Sequence, residues 1–65
     1  MMAVMNRLAE LREGRGMTQK ALAEKIGASV RAVRKWEHGI TVPKPYVRQA
    51  LARALRVSVD ELGFS

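Results

Sequence analysis

Between Thr18 and Gly39 the chain alternates two capping signals with two glycine stops, and this punctuation constrains the fold more than any other feature. Thr18 and Ser29 each open a helical pattern, where a hydroxyl oxygen accepts from a backbone N–H two or three residues on. Gly27 and Gly39 close those patterns, because a helix commonly ends in a left-handed residue that glycine adopts without strain. Only Ala28 separates the first stop from the second cap. Two short helices joined by a turn of about three to four residues must cross steeply and touch. Ala21, Leu22 and Ile26 are expected on the inner face of the first, and the small Ala23 lets the second approach. Val30, Val33 and Trp36 share the back of the second helix, while Arg31, Arg34 and Lys35 share its front. A helix with an apolar back and a cationic front has the size and charge to enter the major groove of DNA.

The remaining segments are also short and helical. Val4, Leu8 and Leu11 predict a first helix over Val4–Glu13, stopped by Gly14-Arg15-Gly16. Pro43 holds Val42 extended, and Pro45 suits the first turn of a helix, where its missing N–H costs nothing. Val47, Leu51 and Leu55 give that helix, Pro45 to Leu55, its buried stripe. Ser58 and Glu61 stand at capping-box spacing and open a last short helix. The expectation is an all-α, compact five-helix domain occupying residues 1–65.

Charge is distributed unevenly along this frame. Of the net +6, residues 1–17 carry +1, residues 18–48 carry +5, and residues 49–65 carry none. A basic excess concentrated on one two-helix unit and the loop after it points to a polyanionic partner. The absence of cysteine removes disulfides and thiolate metal sites from consideration. His38 is the one histidine and has no partners for a metal site, so no metal and no cofactor are expected. The opening Met1-Met-Ala-Val-Met-Asn-Arg7 has no basic stretch ahead of an apolar run, so neither a signal peptide nor a membrane span is expected, and the protein is expected in the cytoplasm. No carboxylate pair, base-assisted nucleophile or phosphate-cradling loop is evident, so no enzymatic activity is expected.

The residues Thr18-Gln19-x-x-Leu22-Ala23, Ile26-Gly27, Ser29, Val33, Trp36-Glu37-x-Gly39, Pro43-x-Pro45 and Leu51-Ala52-x-Ala54-Leu55 keep one register. With the closing Val57-Ser58-Val59-Asp60-Glu61-Leu62, they make the chain resemble the Cro/phage-repressor, or xenobiotic-response-element, helix-turn-helix family. The resemblance runs from about Arg7 to Leu62 and implies a lambda-repressor-like fold with the helix-turn-helix at about residues 18–38. It implies that Ser29, Val30, Arg31 and Lys35 face base edges, with Arg34 beside them in reach of base or backbone. Two roles stay open for Arg31: bidentate donation to guanine, or a phosphate contact. Two also stay open for Val30, a thymine methyl contact or packing under the turn.

By the same resemblance Thr18 and Gln19, at the start of the second helix, meet a DNA phosphate, in keeping with the free N–H groups of a helix amino end. Lys44 and Arg48 suit phosphate contact better than base reading. Arg12 and Glu37 match a pair that forms a largely buried salt bridge in phage repressors. The expected function is sequence-specific recognition of double-stranded DNA by a repressor-like transcriptional regulator, on a palindromic operator. A homodimer is expected, formed on DNA, and no small-molecule ligand. Two alternatives stay open: the DNA-binding antitoxin of a toxin–antitoxin pair, and a protein or RNA interaction module using the same basic face. Phe64 is open to two readings as well, a dimer contact or a lid on the core.

Overall fold

The computed structural model describes residues 6–64. Four α-helices follow one another: α1 (Leu8–Gly14), α2 (Gln19–Ile26), α3 (Val30–Glu37) and α4 (Pro45–Leu55). The fifth expected helix is a single 3-10 turn, Val59–Leu62. Its cause is length. Only four residues separate the Ser58 cap from the left-handed Gly63, and the amides of Glu61 and Gly63 reach back three residues, to Ser58 and Asp60. The capping box itself is present, with Ser58 N–H donating to Glu61 Oε2 at 2.9 Å and Glu61 N–H donating to Ser58 Oγ at 3.3 Å.

The first helix differs from its expected span. It begins at Leu8, and Val4 lies outside the described residues. Asn6 supplies the reason: its Oδ1 accepts from the Leu8 N–H at 3.0 Å, while the Arg7 N–H donates to the Leu62 carbonyl at 2.9 Å. The chain entering α1 is thereby pinned to the chain's far end instead of continuing the helix backwards.

Between α2 and α3 the turn is Gly27-Ala28-Ser29. Gly27 has φ +74°, and the Ala28 N–H then reaches the Ala23 carbonyl at 2.9 Å, closing the helix end. Thr18 Oγ1 and Ser29 Oγ accept from the amides of Ala21 and Ala32 at 2.9 and 3.0 Å, so both expected caps are in place. α4 ends in the same reverse-turn pattern, with the Val57 N–H on the Ala52 carbonyl. There the left-handed residue is Arg56, with φ +60°.

The core is built from Leu8, Leu22, Ala23, Val33, Trp36, Leu51, Ala52, Leu55 and Leu62. Every helix and the 3-10 turn contribute to it, so α2 and α3 are held from behind by α1 and α4. Ala23 is buried as its size demanded, whereas Ala21 is exposed. One residue is about 100° of helix, which carries Ala21 off the Leu22–Ile26 stripe. Phe64 packs on the core's edge as a lid. Among the described residues no helix is long and apolar enough to cross a membrane.

Candidate nucleic-acid interface

α3 divides cleanly by exposure. Val33 and Trp36 are buried, whereas Ser29, Arg31, Arg34 and Lys35 are exposed. Among the described residues none of Arg31, Arg34 and Lys35 makes a salt bridge or a side-chain hydrogen bond. Their cations stand free along one face, three donors of positive charge within five residues. Val30 sits apart from them: it is half-buried and packs against the core, the second of its two open roles.

Glu37, also on α3, is turned inward and is only 6% exposed. Its carboxylate is gripped from two other helices. Arg12 of α1 donates from Nε to Oε2 at 2.6 Å and from Nη2 to Oε1 at 3.3 Å. Gln19 of α2 donates from Nε2 to Oε1 at 3.0 Å. Arg12 also donates from Nη1 to the Met17 carbonyl at 2.8 Å, tying down the α1–α2 turn. The hydrogen bonds to Glu37 raise the Arg12 pKa above its ordinary value, overcoming the opposite pull of burial. Glu37 therefore spends its charge internally, and the exposed face of α3 is left uniformly cationic.

The expected phosphate-facing residues take different positions. Thr18 and Lys44 are exposed; Thr18 uses its oxygen on the Ala21 amide, and Lys44 caps α4 with no side-chain hydrogen bond. Gln19 is half-buried and committed to Glu37 through one of its two amide N–H groups. Arg48 is half-buried as well, and its Nη1 donates to the Pro43 carbonyl at 2.9 Å, bracing the loop before α4. That loop also shows the largest exposed apolar side chains, Ile40 and Val42, with Tyr46 following on α4.

One organising residue escaped the sequence reading. Asn6 donates from Nδ2 to the Trp36 carbonyl at 2.9 Å, fastening the start of α1 to the end of α3. The signal available was a short polar residue ahead of an apolar helical pattern, which marks a cap but says nothing of a bond thirty residues away.

A helix-turn-helix family model matches residues 8–62, which is all four helices and the closing turn. The chain belongs to that family, of the xenobiotic-response-element type. Two curated relatives agree. The transcriptional activator BcrR of Enterococcus faecalis is 36% identical over 56 residues, covering 86% of this chain and 28% of its own length. The cryptic phage CTXphi transcriptional repressor RstR of Vibrio cholerae is 36% identical over 61 residues, covering 94% of this chain and 54% of its own length. The chain thus spans only part of these helix-turn-helix relatives. The fold is also similar to that of a transcriptional regulator from Listeria innocua, with a TM-score of 0.74 at 22% identity, covering 95% of this chain and 63% of that one.

Proposed function

We propose that this helix-turn-helix chain is a sequence-specific, double-stranded-DNA-binding transcriptional regulator of the repressor kind. α3 enters the major groove and presents Ser29, Arg31, Arg34 and Lys35 to the bases, while Thr18, Lys44 and Arg48 lie toward phosphates and Gln19 is engaged with Glu37. The observation that carries this reading is the unpartnered cationic face of α3, set on a helix whose only acid is buried. A free guanidinium donates twice to guanine O6 and N7, which discriminates by about 1–3 kcal/mol per base pair.

Two copies on a palindromic operator account for the dimensions. Half-sites one helical turn apart are separated by about 34 Å. The Cα envelope measures 30 × 22 × 21 Å, so two domains fit side by side on one face of the duplex. Val57 and Phe64 pack on this chain's own core and Leu62 is buried within it, which supports pairing on DNA over a tight free dimer. A repressor acts here by occupying the site, and cytoplasmic residence follows from a DNA target.

The test is selection of bound duplexes from a random library, followed by titration of variants. Arg31→Ala is expected to relax preference at one base position by about 1–3 kcal/mol. Lys44→Ala is expected to weaken every duplex alike and to reduce the salt slope by about one unit. Recovery of no preferred sequence would overturn the proposal, and equal loss on all duplexes for Arg31→Ala would move that residue to the backbone.

A further inference from the structure

We infer that Gln19 is a positioning residue for base reading: by holding Glu37 it sets the roll of α3, and so governs specificity more than affinity. The inference rests on the DNA-reading proposal above and adds to it which side chain aims the helix.

Gln19 Nε2 to Glu37 Oε1, at 3.0 Å, is the one side-chain hydrogen bond between α2 and α3 among the described residues. The rest of that crossing is apolar contact, supplied by Leu22, Ala23 and Val33. Apolar packing resists separation but tolerates sliding and rolling, because its energy follows area and not direction. A directed bond at the edge of the contact removes that freedom. The bond is also charge-assisted, the strong class of hydrogen bond, since its acceptor is an ionised carboxylate already held by Arg12.

Its position gives it leverage. Glu37 is about 200° around α3 from Lys35, at about 100° per residue, and so stands on the side away from that cation. A roll of α3 that shifts Glu37 one way therefore displaces the reading face the other way. Base recognition needs its donors within about 0.5 Å of the productive geometry. Arg12 alone anchors Glu37 to α1, and Asn6 anchors the adjoining Trp36 carbonyl to the start of α1. Gln19 is what references the reading helix to α2, the other half of the unit that docks.

The experiment uses the whole chain and compares a selected duplex with a random one. Gln19→Met preserves shape and removes the donor. The expected result is about a tenfold loss on the selected duplex, as for a lost hydrogen bond to a charged group, with the random duplex within about twofold and the salt slope unchanged. Lys44→Ala serves as the comparison, losing affinity equally on both duplexes. If Gln19→Met behaves like Lys44→Ala, Gln19 is only a phosphate contact and the inference is overturned; no change on either duplex overturns it as well. A wild-type chain with no preference between the duplexes overturns the DNA-reading proposal itself, a separate result. Should Gln19→Met fail to fold, the Gln19 side-chain amide protons of the wild-type chain decide by NMR. Protons protected in the free chain, where no phosphate is present, support the grip on Glu37, and freely exchanging ones refute it.

Discussion

Replacing Arg12 by methionine strands the Glu37 carboxylate, and the cost follows from what remains around it. In the intact chain Glu37 accepts three hydrogen bonds, two from Arg12 and one from Gln19. The substitution leaves only Gln19 and also deprives the Met17 carbonyl of its donor. Removing one member of a buried pair costs about 3–5 kcal/mol, because the other charge stays out of water without its partner. The reverse cut is milder. With Glu37→Gln, Arg12 keeps the Met17 carbonyl and the exposed Glu13 at 3.5 Å, and the new amide still offers an acceptor. The expected cost there is about 1–3 kcal/mol, the range for disturbing a buried hydrogen-bonded group. A domain of 65 residues has about 3–10 kcal/mol in total, so Arg12→Met should bring it close to unfolding. Urea titration followed by Trp36 fluorescence measures both, since the one tryptophan is buried and next to Glu37 in sequence. The denaturant slope should hold constant while the midpoint falls. A loss under about 1 kcal/mol for Arg12→Met, or a larger loss for Glu37→Gln, would refute the argument that a stranded buried charge sets the cost.

Two smaller perturbations test other features of the fold. Arg56→Gly should stabilise the chain by about 0.5–1 kcal/mol in the same assay, because a side chain at φ +60° pays a steric cost that glycine avoids. The backbone N–H of Ser58, with help from its hydroxyl, holds the Glu61 carboxyl below the ordinary carboxylate range. Such a lowered group adds stability above its unfolded value and loses it as pH falls through the folded one. NMR titration should therefore find Glu61 protonating at lower pH than in Ser58→Ala, whose remaining N–H donor is no longer backed by the hydroxyl.

Local chemistry was the most legible part of the molecule. Thr18, Ser29 and Ser58 act on amides three residues away, so their roles are written in nearest-neighbour spacing. The Leu22, Val33, Leu51 and Leu55 core was equally readable from helical period. What escaped was set by distance in sequence or by too little chain. The first helix starts late because Asn6 accepts from the Leu8 amide and Arg7 answers to Leu62, and the last is a 3-10 turn because four residues cannot support an α-helical ladder. At the candidate interface, the exposed cations of α3 could be placed from their spacing opposite Val33 and Trp36. The bond from Gln19 to Glu37 could not, since it depends on how two helices cross and which amide hydrogen faces inward.

Arg31, Arg34 and Lys35 hold nothing together within the described residues. Their exchange for other residues removes no core contact, breaks no cap and strands no charge, so the effect on folding should stay within about 0.5 kcal/mol. Scaffold and vocabulary are therefore separable in this chain. On the proposed DNA reading, a descendant could acquire a new target by altering these three positions while its fold passes through unchanged, and a designer could rewrite them without first having to rescue the protein.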